Sequence, residues 1–587
     1  MKKRLVLLLA LTISLACLVA SCGSKETKDD NNISHSQDVE EEEAPAEDSQ
    51  ENEGEPSEEG ETAEQEGSSE EGEAAEPTES EETAVTSIDD IPWNDSEDAV
   101  SFVVRIKDSP KGWNPNVHGD DNLFLIAQNV YPRLCALDTT KSNLVGEAAQ
   151  SWEFNQDATE LTFHLRDGLT WTNGKPLTSE DVKYTFETIK NNRDYPFSVI
   201  MENVETVEAV DSQTVVFKLI NPDGSFDKML GWYGTFIMSH EALKDAPTWT
   251  LEIPWNEIVT CGPFVVRDVN DGVVTLTPNT IYPEPGKVDK LVFSVIPNDS
   301  DAVEALKNGE IDYLEDLPAE FISEIQSRED MALVDDFYPT PIRLVFNLES
   351  EHLEDEVLRK AIALCVDRDR IHKEVYGSST MAPENTMYSS VVAWAVNTED
   401  LAPDYNPEAA KNLLVENGYV EDENGNLFPE GILSIAVPEN GSYAEIAEII
   451  AGDLKGAGIP CTVDVYSYAN WNAKVSQMDF TMEIESGFMG PDPAALAPRY
   501  GTGGGGNTGH YSNQEVDELL AKGQATGDVS KRAETYKAVQ KILATELPAV
   551  PILGYSTKNV YNTAFKHMPC NGQGMWSWGD FSHVGKN

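Results

Sequence analysis

No two histidines in this 587-residue sequence lie within one helical turn of each other, which removes the HExxH metal helix. There is no CxxC spacing and no Gly-x-Ser-x-Gly elbow. The glycine run Gly503–Gly506 has no Lys-Ser or Lys-Thr after it, so it is not a phosphate loop and reads as a flexible loop. Basic residues are scarce: 41 Lys and Arg stand against 104 Asp and Glu, for a net charge of −63. That balance opposes nucleic acid binding, whose footprint is a basic patch, and it suits a solubility role outside the cell. These absences together weaken an enzymatic reading, and they leave no metal and no cofactor to expect. Triads are assembled in space, so the absence of sequence motifs weakens catalysis without removing it.

Long apolar runs are also missing, with one exception. Leu5–Val19 follows the basic Met1-Lys2-Lys3-Arg4 and precedes the small residues Ala20 and Ser21. This is a signal sequence, too short for an easy membrane span of about 20 residues. Val19-Ala20-Ser21-Cys22-Gly23 resembles a lipobox, so residues 1–21 are expected to be removed and Cys22 to carry a lipid such as palmitate. A lipid of two or three chains anchors firmly where one chain does not. The expected location is the cell surface, on the outer face of the cytoplasmic membrane, periplasmic where an outer membrane exists.

Residues 22–90 then read as an acidic, disordered linker. From Gly23 to Asp90 there are 27 Asp and Glu and two Lys, among Ser, Gly, Pro and Ala, with too little apolar surface to offset chain entropy. Of seven cysteines, Cys17 leaves with the signal and Cys22 takes the lipid. The remaining Cys135, Cys261, Cys365, Cys461 and Cys570 are odd in number, so at most two disulfides can form; free thiols would suit an anaerobic habitat.

From Ile91 the pattern alternates between strand and helix, with length for about three or four lobes. Ser101–Ile106 is strand-like, and Leu161, Phe163 and Leu165 alternate along a strand ending at Asp167-Gly168. Leu169–Trp171 is expected to be the second half of that hairpin. Thr178 and Asp181 form a capping box for a helix carrying Val182, Tyr184, Phe186 and Ile189. Helices are expected over Glu354–Val366, from Pro407 to Gly418, over Tyr443–Gly456 and over Arg532–Ala544, with strands at Val288–Ile296 and Arg343–Asn347. Fold class is therefore α/β with mixed sheets.

Several blocks carry a specific resemblance. Glu147-Ala-Ala-Gln-Ser-Trp152-Glu153, then Leu161 through Val182 with Arg166-Asp167-Gly168, Trp171, Gly174 and Pro176, come first. They are followed by Cys261-Gly262-Pro263-Phe264, Gly309-Glu-Ile-Asp312, Val357 through Arg368, Tyr405 through Tyr419, and Asn507 through Asp517. In this order they resemble the family 5 extracellular solute-binding proteins, the peptide and nickel type receptors of ABC importers, over about residues 99–581. In most blocks a structural role outweighs ligand contact: Trp152 and Trp171 read as packing, and Asp367-Arg368 as a helix junction held by local ion pairing.

The resemblance implies a two-lobed periplasmic-binding-protein-like fold with a two-strand hinge and an extra domain in the first lobe. Lobe one would be 91–137, 258–342 and 553–587, the extra domain 138–257, and lobe two 343–552. It implies capture of an extracellular solute, most simply an oligopeptide, and delivery to an ABC permease and its ATPase subunits by a monomer held to the membrane through its lipid. A surface receptor for a peptide signal, or an oligosaccharide-binding member, are the alternatives, and the scattered histidines argue against direct nickel ligation. Gly487-Phe488-Met489-Gly490-Pro491-Asp492-Pro493 matches the family's ligand strand, with Phe488 on its aromatic and one Asp missing, so Asp492 either holds a peptide amine or forms an Asp-Pro turn. Phe197, Trp394 and Tyr555 fall in segments that face the cleft in relatives. Arg343 and Arg499 are candidates for a ligand carboxylate on charge grounds.

Overall fold

The computed structural model describes residues 87–137, 143–231, 235–245, 249, 253–377, 381–487, 489–569 and 579–586. The expected signal, Cys22, the linker up to residue 86, Phe488 and Cys570 lie outside them. The last residues of the expected linker are held to the body. Ser87 caps a short turn over Ile88–Asp90, and Arg267 donates to the carbonyls of Ile88 and Ile91.

The principal strands are β1 (Ser101–Ile106), β2 (Ala149–Phe154), β3 (Glu160–Leu165), β4 (Val204–Asp211), β5 (Thr214–Leu219), β6 (Phe264–Asn270) and β7 (Val273–Pro278). They continue with β8 (Lys290–Val295), β9 (Tyr313–Leu314), β10 (Met331–Phe346), β11 (Leu433–Pro438), β12 (Cys461–Tyr466), β13 (Met482–Ser486) and β14 (Ala549–Asn562). The principal helices are α1 (Asp121–Val130), α2 (Ser179–Asn191), α3 (Phe226–Gly231), α4 (Glu356–Ala363), α5 (Pro407–Glu416), α6 (Tyr443–Gly456) and α7 (Val529–Glu546).

One eleven-stranded sheet runs β12-β11-β13-β10-β14-β9-β1-β8-β7-β6, with Met381–Pro383 added on β14. Its pairings are mixed: β1 and β8 are parallel, β10 and β14 antiparallel. A separate antiparallel sheet has the order β2-β3-β5-β4. Two large hydrophobic cores result. The first gathers Phe102, Trp171, Phe186, Phe217 and Phe264, and the second Leu344, Ile362, Ile435, Ile450 and Tyr536. β10 and β14, the longest strands, run from one core toward the other, and the two cores give the two-lobed α/β architecture the resemblance implied.

Local signals explain most elements. On β3, Leu161, Phe163 and Leu165 are buried and their neighbours are not, because alternate side chains point to opposite faces. Asp181 accepts from the Thr178 N–H at 2.8 Å and starts α2, which buries Val182, Phe186 and Ile189, worth ~1.5–3 kcal/mol apiece. Asn406 caps α5 before Pro407, and Gly418, at φ 94°, ends the run where a side chain would be strained.

Three expectations are corrected. Leu169–Trp171 does not pair with β3, whose two edges are taken by β2 and β5; it folds back on Lys175–Leu177 through its own tight turn. The strand at Arg343–Asn347 is the end of a much longer one, β10, whose first half, Met331–Tyr338, carries Asp335 and Asp336 side by side, is followed by Pro339 and Pro341, and so shows no sustained alternation. Arg368 forms no ion pair with Asp367; it is buried and donates to the carbonyls of Glu384, Pro551 and Pro403, while Asp367 caps the next turn. Cys135, Cys261, Cys365 and Cys461 are free thiols.

Candidate ligand-binding site

The crossing strands β10 and β14 are the natural floor of a site between the cores. Their ladder is regular from Met331–Asn562 to Phe337–Ser556, slips, and resumes at Pro341–Gly554. Slippage is expected here because Pro339 and Pro341 supply no N–H to the ladder. The Pro339 carbonyl instead accepts from the Met489 N–H at 2.7 Å, tying the segment after β13 to the crossing.

Residues directly opposite in an antiparallel ladder project to the same face. Asp336 faces Thr557 in that way, and Asp335 faces Lys558. The two faces differ sharply. Asp335 and Lys558 form an ion pair, whereas Asp336, 4% exposed, receives from the side chains of the described residues only a long 3.4 Å bond from Asn559 Nδ2. Beside Asp336 lie Tyr338 and Tyr555, both half-buried, with ring centroids 5.3 Å apart. Glu315, half-buried just past β9, completes the group together with Asp316, whose backbone is left-handed at φ 55° and whose N–H is held by Asn559 Oδ1 at 3.1 Å.

Electrostatics follow from this clustering. Burial pushes the Glu315 carboxyl up to about 8, and the like charges of Asp336, Asp316 and Asp121 add to it. Burial likewise pushes Asp336 up to about 7, although Asn559 favours its ionised form. The Tyr338 phenol is raised by its burial and by the two carboxylates. Among the described residues no salt bridge reaches Glu315 or Asp336.

The residues singled out from sequence do not converge on one point. Asp492 is 2% exposed, caps the turn at Pro493–Ala495, and receives Arg532 on both oxygens at 2.7 and 2.5 Å. Lys228 of α3 stands 4.0 Å from it, and both cations lie over the Trp394 ring, Lys228 at 5.1 Å and Arg532 at 5.7 Å from its centroid. Met489 is wholly buried in the second core. Phe197 is packed in the first core against Phe124.

Arg343 is buried and bonded to Tyr500 and Glu485, and Arg499 lies 3.5 Å from the same Glu485. Gly487 gives that guanidinium its room, since a Cβ there would sit 2.3 Å from Arg499 Nη2. The cavity these two arginines line is about 10 Å³, space for one water. Of the sequence candidates among the described residues, Tyr555 places its side chain beside Tyr338 at the crossing, and Met489 reaches it through its backbone. Glu315, Asp336, Tyr338 and Thr557 were not legible as a group, although the acid pairs Glu315-Asp316 and Asp335-Asp336 stand out beside aromatic residues.

Residues 143–508 match the bacterial extracellular solute-binding proteins, family 5 (middle region). Heme-binding protein A of Haemophilus influenzae is 25% identical over 481 residues, which is 77% of this chain and 86% of that protein. The dipeptide-binding protein of Escherichia coli is 26% identical over 499 residues, 79% of this chain and 90% of that one. In fold, HbpA2 from Haemophilus parasuis aligns with a TM-score of 0.74 at 21% identity, over 83% of this chain and 100% of that chain. The unliganded open form of the periplasmic murein tripeptide binding protein MppA aligns with a TM-score of 0.72 at 20% identity, over 82% and 97%.

Proposed function

The chain belongs to the bacterial extracellular solute-binding proteins of family 5, and on that premise we propose that it captures a short oligopeptide between its two lobes and delivers it to an ABC permease and its ATPase. The observation that carries this reading is the β10–β14 crossing, where half-buried tyrosines and the buried Asp336 lie on two long strands that run from one core toward the other. Relatives named for dipeptides and tripeptides support the ligand class.

In this reading lobe one comprises 91–137, 258–342 and 553–587, with 138–257 as its extra domain, and lobe two comprises 343–552. A ligand that touches both lobes favours the closed form by its differential affinity for the two states. Cys22 with its lipid, and the acidic stretch after it, would keep the receptor at the membrane near its permease.

A thermal shift screen of the purified full-length chain tests the proposal, after unfolding and refolding to remove carried ligand. Pools of two-to-six-residue peptides, oligosaccharides and haemin are the arms. A ligand at 100 times its Kd stabilises by ~2.7 kcal/mol. Shifts with peptides are the expected result; shifts with sugars or haemin alone would overturn the peptide assignment. Cys22→Ser should release the protein from membranes to the medium or periplasm; retention would sink the lipid anchor.

A further inference from the structure

We propose that the face of the β10–β14 crossing carrying Asp336, Tyr338, Tyr555 and Thr557, with Glu315 beside it, is a recognition site for a cationic group of the ligand, an amine or a guanidinium. The proposal rests on the solute-capture reading above and names the chemistry that reading leaves open.

Three independent features point to a cation. First, two carboxylates meet here without a basic partner, while the neighbouring Asp335, on the opposite face of the same strand, has Lys558. An acid pair brought together by packing and left without a cation is costly to ionise, and a fold that needed it only for structure would be better served by amides. Second, the Tyr338 and Tyr555 rings stand 5.3 Å apart beside the acids, and the faces of aromatic rings attract cations. Third, the Thr557 hydroxyl is buried, lies across the ladder from Asp336, and makes no hydrogen bond of good geometry, its near neighbour being the Tyr338 phenol of the same group. A hydroxyl in that position can accept from an ammonium or guanidinium N–H.

The surroundings reinforce the sign. Asp316 and Asp121 add negative charge around Glu315, the cations Lys107 and Arg105 act on Asp316, the Tyr313 hydroxyl favours the ionised form of Glu315, and Asn559 holds the arrangement by donating to Asp336 and to the Tyr313 hydroxyl. Without a ligand, burial favours the protonated form of both carboxyls, and nearby acids add to this at Glu315, which is what their upward shifts to about 8 and about 7 express. A bound cation replaces those protons. Binding at pH 7 therefore releases protons, which a site with only a structural role would not do.

The test is titration calorimetry of the full-length chain in detergent at pH 7, in two buffers of different ionisation enthalpy. The probes are Ala-Lys-Ala, Ala-Gln-Ala, their N-acetylated forms, and agmatine as a cation that is not a peptide. The expected result is a preference of about tenfold or more for a probe with a free cationic group, with proton release, falling below about threefold in Glu315→Gln/Asp336→Asn. Preference surviving N-acetylation identifies the lysine side chain as the group held, and loss on acetylation identifies the terminal amine; either supports the site.

Equal affinity for all peptides, or a preference that persists in the double variant, overturns the proposal and leaves the peptide reading standing. If agmatine binds the parent and not the variant while no peptide binds, the cation site stands and the peptide reading falls. If neither peptides nor agmatine bind the parent, the cation site is wrong. Should the double variant fail to fold, the single Asp336→Asn variant and the parent's proton release decide in the same way.

Discussion

Two buried acids, Asp492 and Asp336, are about equally hidden from solvent and differ in what surrounds them. Asp492 sits between the cores with Arg532 on both oxygens, Lys228 nearby and an indole ring alongside. Asp336 sits at the strand crossing with an amide, two tyrosines and another acid. The first charge is satisfied by the protein itself, so its role is to hold structure. The second is left for something that arrives. Burial alone therefore does not mark a binding residue; burial without a charge partner does.

The largest expected effect is on the satisfied side of this comparison. Arg532→Ala leaves Asp492 buried and unpaired and should cost ~3–5 kcal/mol, read as a lower denaturant midpoint. Arg532→Met combined with Asp492→Leu should recover most of that loss. If it does not, the pair contributes more than mutual neutralisation.

On the unsatisfied side the expected signature is in pH. Glu315 and Asp336 hold their protons more tightly folded than unfolded. Below the unfolded carboxylate range, at about pH 4, both states are protonated and these groups cost nothing. As pH rises toward about 7 and about 8, the unfolded chain loses its protons first, so stability falls; above that window the whole penalty is present. Asp336→Asn should remove its share, up to ~1.4 kcal/mol per pH unit within the window. Identical pH profiles for parent and variant would contradict the assignment.

A smaller effect tests how closely the two cores approach away from the hinge. A Cβ on Gly224 would lie 1.9 Å from the Thr526 carbonyl oxygen, and the Gly224 N–H donates to the Gln524 carbonyl at 2.8 Å. Gly224→Ala must push backbone apart and should cost ~1–3 kcal/mol in thermal unfolding. The smallest belongs to Gly487→Ala, where the obstacle is the mobile end of Arg499; a loss below ~1 kcal/mol is expected, and a larger one would mean that Arg499 has no other place to go.

Much of the fold was legible because its signals are local. The alternation in β3, the Thr178–Asp181 box and the Asn406-Pro407 start each depend on residues a few positions apart, and the structure has each element at its place. The hairpin assigned to Leu169–Trp171 failed because a tight turn says nothing about which edge is vacant. The first half of β10 was missed because its stability comes from pairing with β14, more than two hundred residues away, while its adjacent acids and the prolines that follow it argue against a strand.

By itself, then, the sequence determined the class: an acidic chain, an α/β body, and blocks specific enough to indicate a solute-binding family. These properties are sums or short-range patterns, and a chain carries them whether or not it is folded. Only the tertiary structure decided which charges are spent on the fold and which remain open. Asp492 and Arg532 are forty positions apart, Asp336 and Thr557 more than two hundred, and a carboxylate's state is set by its neighbours in space.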